Sequence, residues 1–256
     1  MQRLLLTLRF DGTAYHGWQV QPNAPTVQET LQDAIQAVTG VRSGVIGCSR
    51  TDAGVHADMF CCTFDTDSPL RGNKLLCALN YHLPGDIAVY GVEAVAPDFH
   101  PRYRAQGKRY VYRIWNGAQR HPIYSRYAYH RNRPLDVPML DRAAADFCGK
   151  HDFAAFCSAD SDVQGSTVRT VRHCGVERHG DMVLFTVEAD GFLYNMVRIM
   201  VGTILDIADG RLAADAIPAI LAQGDRAKAG ATAPAVGLCL QNVFYDRKEL
   251  QTDAEE

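Results

Sequence analysis

The 256-residue chain has no apolar run approaching the roughly 18–20 residues that a membrane-spanning helix requires. Its first residues lead into a short alternating segment, and no secretory signal with a small-residue cleavage site is evident. Most of the eight cysteines have apolar neighbours, so we expect reduced thiols rather than disulfides. Together these features predict a cytoplasmic protein that does not associate with membranes.

The motifs of several common active sites are also missing. The chain has no C-x-x-C or H-E-x-x-H spacing, and Cys61 and Cys62 are adjacent on a predicted strand, where they point to opposite faces. It has no G-x-x-x-x-G-K-[ST] or G-x-G-x-x-G loop for nucleotide phosphates and no G-x-S-x-G of a serine hydrolase. We therefore expect neither a bound metal nor a nucleotide cofactor.

Residues 101–133 contain no aspartate or glutamate. This segment holds nine of the 26 basic residues, whereas all 29 acidic residues lie outside it, although the net charge of the chain is only −3. Tyrosine and tryptophan residues are interleaved with these cations. Cations between aromatic rings suit phosphates and stacked bases, so the segment predicts a local anionic ligand. A solvated basic face above a strand with core tyrosines is the alternative.

Apolar periodicity predicts two halves of similar size. We assign residues 1–104 to an N-terminal half, 105–247 to a C-terminal half and 248–256 to a disordered tail. The absence of a βαβ rhythm and of a glycine fingerprint favours an α+β fold. Strands are predicted at residues 4–10, 45–47, 59–64, 87–95, 109–115, 168–176, 183–188 and 238–245. Helices are predicted at residues 26–40, 73–80, 136–148, 195–208 and 215–222.

The most informative segment is the small, polar stretch at residues 47–57, between two predicted strands. Arg50 and Asp52 are two residues apart, so in an extended loop they can face the same side. A neighbouring guanidinium lowers the pKa of a carboxylate and keeps it ionised, as a nucleophile requires. Alternatively, the pair only ties the loop, and Asp52 is a turn residue.

The sequence R-T-D-A-G-V-H-A at residues 50–57 resembles the signature of the tRNA pseudouridine synthase A family. Ser49 departs from the glycine usual in that family, which bears on the backbone angle before Arg50. The similarity extends over nearly the whole chain. Further segments that look like family motifs are D-G-T-A-Y-H-G-W-Q at 11–19, P-T-V-Q at 25–28, L-P-G-D-I at 83–87, D-F-H-P-R at 98–102, K-R-Y-V-Y at 108–112, F-L-Y-N-M-V-R at 192–198 and T-A-P-A-V-G-L at 232–238.

This resemblance implies isomerisation of uridine to pseudouridine at positions 38–40 of the tRNA anticodon stem-loop. It also implies two ferredoxin-like halves with largely antiparallel sheets joined around a central basic cleft. Family members are homodimers that use no cofactor and no metal. The reaction moves no electrons or phosphoryl groups between molecules, which agrees with the missing cofactor motifs. A structural RNA-binding protein or tRNA chaperone of the same fold, without turnover, is the alternative.

The resemblance assigns Asp52 as the nucleophile and leaves attack at C6, attack at C1′ and elimination to a glycal open. Arg50 is expected to fill the space of the flipped base or to hold a phosphate. Tyr110 matches the substrate-stacking tyrosine of the family, with core packing as the alternative. Arg198 is expected near the nucleophile, with a structural ion pair as the alternative. His56 is expected to shape the loop by hydrogen bonding. Candidates for contact with the RNA backbone are Arg102, Arg104, Lys108 and Arg109.

Overall fold

The computed structural model describes residues 1–158 and 165–246. The chain forms two compact units. Unit 1 comprises Met1–Gln106 and the described residues from Leu240 on, and unit 2 comprises Gly107–Cys239. The sequence assigned the final strand to the C-terminal half, whereas most of that strand belongs to unit 1. The tail predicted at 248–256 lies outside the described residues.

Unit 1 combines antiparallel strands with two helices. The strand order is β4-β1-β3, and β2 pairs antiparallel with β3. These elements are β1 (Gln2–Phe10), α1 (Val27–Thr39), β2 (Val45–Gly47), β3 (His56–Thr66), α2 (Gly72–His82) and β4 (Ile87–Val95).

Helix α1 forms where the sequence predicts it, because both of its ends carry capping residues. The side chain of the N-cap residue Thr26 accepts a hydrogen bond from the Glu29 N–H at 3.4 Å. At the other end, Gly40 adopts a φ of 77°, a left-handed conformation that is open to glycine without steric cost. One apolar face is buried, formed by Val27, Leu31, Ala34 and Ile35.

Strand β1 is more buried than its alternating pattern predicts. Leu4, Leu6 and Leu8 form one buried face, as expected, but Leu5 and Thr7 on the other face are buried as well. The strand pairs with β3 along one edge and with β4 along the other. The half-buried strand predicted from the alternation is therefore a central strand that is buried on both faces from Leu4 to Leu8.

Strand β3 begins at His56, earlier than the predicted start at Met59. Ala57 pairs with Phe10 of β1 beyond a bulge, so the ladder extends past the polar residue Asp58. The loop between β2 and β3 is therefore limited to residues 48–55. This extension depends on pairing with a distant strand, which the local pattern does not report.

Unit 2 contains a second antiparallel set of strands and three helices. The strand order is β5-β9-β8-β7, and the two-residue β6 runs parallel to the end of β5. The elements are β5 (Gly107–Trp115), β6 (Tyr129–His130), α3 (Val137–Ala145), β7 (Gly149–Asp152), β8 (Val168–His179), β9 (Met182–Ala189), α4 (Met196–Ala208), α5 (Ala216–Gln223) and β10 (Leu238–Phe244), which continues into unit 1 beside β3. The described residues thus form a mixed α/β fold with mostly antiparallel strands and five α-helices, which confirms the predicted class in outline.

Two short strands, β6 and β7, were not predicted. The sequence of β7, Gly-Lys-His-Asp, is polar and mostly exposed, so it lacks the apolar alternation of a strand. It is held by its register with β8, in which Gly149 pairs with Val171 and Asp152 with Val168. Helix α3 correspondingly ends at Ala145 rather than at the predicted residue 148.

Helix α4 is buried on nearly all sides, with ten of its 13 residues inaccessible. The segment after α5 approaches it closely, since a Cβ on Gly202 would lie 1.6 Å from Ala231 O and one on Gly230 would lie 2.5 Å from the Gly202 carbonyl carbon. Both positions therefore require glycine. Within residues 1–158 and 165–246, no helix combines the length and apolarity needed to cross a membrane.

Thr203→Val should destabilise the protein through the contact between α4 and Gly230. The buried Thr203 hydroxyl donates to Ile199 O at 2.9 Å and accepts the Gly230 N–H at 2.9 Å. Valine has nearly the same volume but leaves that N–H without an acceptor, which should lower the free energy of unfolding by about 1–3 kcal/mol. Urea unfolding measures the change, and Thr203→Ser should retain the hydrogen bonds. A valine variant as stable as the wild type would contradict this explanation.

Candidate active site

The loop at residues 48–55 connects β2 to β3 and carries the predicted nucleophile. Its start is held by the strands, because Cys48 N–H donates to Cys61 O at 2.8 Å. Burial, with Cys48 nearby, raises the pKa of the Cys61 thiol, so that thiol remains protonated. Within the loop, Thr51 is buried, Asp52 is half-buried and Arg50 is exposed.

Residues 11–18, which we call the bracket, hold the loop through backbone hydrogen bonds. Trp18 N–H donates to Thr51 O at 3.1 Å, and Gly54 N–H donates to Tyr15 O at 3.1 Å. The two bonds lie on either side of the predicted nucleophile in the sequence. The loop is therefore tied to one neighbouring segment both before and after that residue.

The bracket approaches the loop so closely that two of its residues must be glycine. Gly17 has a φ of 87°, and a Cβ there would lie 2.3 Å from Thr51 O. A Cβ on Gly12 would lie 2.0 Å from Val55 O. Any side chain at these positions would push the bracket away from the loop.

His56 takes part in hydrogen bonding at the end of the loop, as predicted. Its Nδ1 atom accepts the Gly12 N–H at 3.1 Å and lies 3.2 Å from an oxygen of the Asp11 carboxylate. His56 thus joins the first residue of β3 to the start of the bracket.

The bracket is anchored to the remainder of unit 1. Tyr15 donates its hydroxyl proton to Asp86 Oδ1 at 2.7 Å, and Trp18 stacks on Phe60 of β3 with ring centroids 4.2 Å apart. Burial and the Asp86 carboxylate raise the pKa of Tyr15, which keeps its hydroxyl a donor at neutral pH. The bracket, and with it the loop, is therefore held at a fixed place relative to the sheet of unit 1.

Arg50 is exposed in the loop, two residues before the half-buried Asp52. The effect of its guanidinium on the pKa of the Asp52 carboxylate stays a prediction.

Tyr110 lies on β5 of unit 2, opposite Val187 of β9. Its side chain is only 6% exposed, and its ring meets Phe192 edge-on with centroids 5.0 Å apart. Two residues on, Tyr112 is fully buried and donates its hydroxyl proton to Pro234 O at 2.8 Å. Core packing therefore accounts for Tyr112 and for one edge of the Tyr110 ring.

Arg198 lies in the first turn of α4 and is held in a defined orientation. Its Nε donates to Ala233 O at 2.8 Å, and its Nη1 donates to Asn195 Oδ1 at 2.8 Å. Ala233 N–H in turn donates to Arg198 O at 3.0 Å. The two C-terminal sequence motifs at 192–198 and 232–238 thus meet at this guanidinium.

Three of the four cations predicted to contact the RNA backbone have protein partners or are buried. Arg104 forms an ion pair with Asp98 at 2.9 Å. Arg109 donates to Glu188 Oε2 through Nη2 at 2.8 Å and through Nε at 3.2 Å. Lys108 is only 8% exposed. These three side chains are less available to RNA than their sequence context suggests.

Arg102, the fourth, is exposed. Farther along the same acid-free segment, Arg131 forms an ion pair with Asp209, and Arg133 Nη1 lies 3.4 Å from the same carboxylate. These partners lower the pKa of Asp209 and keep it ionised. Acidic residues from distant positions therefore neutralise part of the segment.

Ser49 is accommodated without the backbone conformation that would require glycine. Among the non-glycine residues that the structure describes, only Asn23 and Asn195 have a positive φ. The departure from the family pattern at this position thus leaves the loop geometry unstrained.

All eight cysteines are free thiols. In the described ranges, no group of three or more His, Cys, Asp or Glu side chains is arranged to hold a metal ion.

Sequence reasoning missed the roles of Tyr15, Gly17 and Trp18. Their motif was recognised, but nothing in the local pattern indicated which segment they contact. The available signal was the pair of glycines within a few residues of a buried tryptophan, a combination that indicates close backbone approach.

Gly17→Ala should loosen the loop. The added Cβ would overlap Thr51 O, so the hydrogen bonds between the bracket and the loop should weaken. Hydrogen-exchange mass spectrometry should show faster amide exchange at residues 50–55. Gly40→Ala is the matched control, because Gly40 also has a positive φ but an added Cβ there meets no atom within 4 Å. Equal exchange at residues 50–55 in the two variants would argue against the bracket.

Comparison with known proteins identifies the family. One solved structure, described as a Cbf5-Nop10-Gar1 complex, aligns with 77% of this chain and 52% of that chain, at 12% identity and a TM-score of 0.33. The family model for tRNA pseudouridine synthase matches residues 7–104 and 143–246. The tRNA pseudouridine synthase A of Acetivibrio thermocellus is 45% identical over 245 residues, which cover 96% of this chain and 100% of that protein. That of Moorella thermoacetica is 47% identical over 247 residues, with the same coverage. From the family model and these relatives, the chain belongs to the tRNA pseudouridine synthase A family and is an isomerase that acts on tRNA.

Proposed function

We propose that this enzyme converts uridine to pseudouridine at positions 38–40 of the anticodon stem-loop, with Asp52 as the nucleophile. The observation that carries this role is the fixation of the loop by backbone hydrogen bonds at Thr51 and Gly54. Asp52 also begins a turn, since Val55 N–H donates to Asp52 O at 3.1 Å. The backbone that carries its half-buried carboxylate is thus fixed before substrate arrives, as a reacting group requires.

The chemistry needs only one carboxylate at the target nucleoside. The C1′–N1 bond breaks, the uracil turns, and a C1′–C5 bond forms, with loss of the C5 proton and gain of a proton at N1. A carboxylate serves this reaction by attacking C6, by attacking C1′, or by stabilising positive charge on the sugar during elimination to a glycal. Asp52 is suited to each of the three routes.

The target base must leave the stem before it can react, which costs a few kcal/mol. Arg50 is exposed and lies two residues from Asp52. An exposed guanidinium at this position can enter the space left by the base or hold a neighbouring phosphate. We infer that Arg50 acts on the RNA.

Tyr110 and Arg198 are assigned on the family resemblance. We infer that the Tyr110 ring supports the flipped uracil and that Arg198 lies beside the reacting carboxylate. The two hydrogen bonds that orient Arg198 support a fixed role for its charge. Of the four predicted backbone contacts, Arg102 is the most available because it is exposed and the other three are paired or buried.

The same resemblance is the basis for four further proposals, which concern the whole protein rather than single residues. These are two ferredoxin-like halves around a basic cleft, a homodimer, action in the cytoplasm and catalysis without a cofactor. Each is an expectation carried over from the family.

Asp52→Ala and Asp52→Asn should both abolish turnover while tRNA affinity stays within about tenfold of wild type, or ~1.4 kcal/mol. Asparagine keeps the shape of the side chain but removes its charge and its nucleophilicity. Tritium release from tRNA labelled at uracil C5 measures turnover, because product formation requires loss of that hydrogen. Filter binding measures affinity.

Asp58→Asn is the matched control for this experiment. Asp58 is exposed on β3 and forms an ion pair with Arg9 at 3.7 Å, so its loss should leave turnover unchanged. Substantial product from purified Asp52→Asn would remove Asp52 as the nucleophile. A wild-type protein that binds tRNA but releases no tritium would instead favour the binding-only alternative.

Tyr110→Phe separates two roles of this residue. Phenylalanine retains the ring, so RNA affinity should stay near that of the wild type. We expect slower turnover, by up to ~10²–10⁴-fold if the phenol oxygen helps remove the C5 proton. Single-turnover kinetics with anticodon stem-loop RNA measure both quantities. Tyr112→Phe, which loses only the hydrogen bond to Pro234, should affect stability alone, and unaltered binding and rate in Tyr110→Ala would assign Tyr110 to the core.

A further inference from the structure

Tyr103 presents an aromatic ring to solvent on the turn that follows β4. Its side chain is 78% exposed, whereas tyrosine is typically intermediate in burial. The His100 ring lies against it, with centroids 4.3 Å apart and planes at 33°. The face directed away from His100 is therefore open to a ligand.

Hydrogen bonds hold the backbone of the turn that carries this ring. Tyr103 N–H donates to His100 O at 3.1 Å, and Arg104 N–H donates to the same oxygen at 3.0 Å. Tyr245, the residue directly after β10, donates its hydroxyl proton to Pro101 O at 2.7 Å. An exposed ring on a backbone fixed in this way loses little conformational entropy when a partner stacks on it.

Positive charge accompanies the ring. Arg102 is exposed and directly precedes Tyr103, and the carboxylate of Asp98 is paired with Arg104 at 2.9 Å. An exposed cation beside an open aromatic face suits a phosphate next to an unstacked base. It does not suit a protein partner, because one ring provides far less apolar area than a stable protein interface requires.

We propose that Tyr103 is a stacking site for an unpaired base of the tRNA substrate, with Arg102 contacting the adjacent phosphate. The site rests on tRNA being the substrate and is independent of the role proposed for Asp52. It binds RNA and takes no part in bond making or breaking. Its loss should therefore raise the KM for tRNA and leave kcat unchanged.

The first experiment measures tRNA affinity and steady-state kinetics of full-length Tyr103→Ala, Tyr103→Phe and Tyr81→Ala. Tyr103→Ala should weaken binding about 5- to 150-fold, whereas Tyr103→Phe should bind as the wild type does. Tyr81→Ala is the matched control, because Tyr81 is also in unit 1, is 85% exposed and contacts a histidine ring, that of His82. It should have no effect.

The second experiment measures affinity at several salt concentrations. Arg102→Ala should make the slope of log K against log salt less steep by about 0.7–0.9, the change expected for one lost phosphate contact. Arg42→Ala, which removes an exposed cation from outside the basic segment, should leave the slope unchanged.

Three results would overturn the proposal. The first is a Tyr103→Ala variant whose affinity is within twofold of the wild type. The second is a Tyr103→Phe variant that loses as much affinity as Tyr103→Ala, which would mean that the hydroxyl and not the ring is recognised. The third is a change of oligomeric state in Tyr103→Ala, seen by light scattering, which would assign the ring to a protein contact. These readouts report affinity, whereas the test of Asp52 reports turnover, so the two proposals can fail separately.

Discussion

Two backbone hydrogen bonds, from Trp18 to Thr51 and from Gly54 to Tyr15, hold the loop that carries Asp52. A polar loop without them would sample many conformations, and fixing its backbone costs about 1–2 kcal/mol for each residue. In this protein the loop backbone is already ordered when the chain folds, because the bracket is itself anchored to β3 and to the turn before β4. Substrate binding then need not order the loop that carries the proposed nucleophile.

The sequence predicts elements whose determinants are local and misses those held by distant partners. Helix α1 carries its own cap residues, Thr26 and Gly40, and forms where expected. Strand β7 has a polar sequence and exists because it pairs with β8. The early start of β3 at His56 likewise depends on a bulged ladder with β1. Periodicity reports which face of an element is apolar and not which strand lies beside it.

The candidate site shows the same division. The loop with Asp52 was found because it is polar, contains glycine and lies between two apolar strands. The bracket could not be found from the sequence, because Trp18 and Thr51 are far apart along the chain. Charge behaves similarly: residues 101–133 contain no acid, yet Glu188 and Asp209 supply carboxylates to their arginines. A charge pattern along the chain therefore overstates the charge that remains for a ligand.

The aromatic residues of the basic segment divide by burial into two groups. Tyr110 and Tyr112 are covered, and their rings help to pack β5. Tyr103 is not, and the hydrogen bonds described for its turn do not use its side chain. A ring that is 78% exposed gains little from the hydrophobic effect. Folding explains the burial of Tyr112 but gives little reason for a ring at position 103, and the exposed Arg102 beside that ring is why we propose contact with RNA.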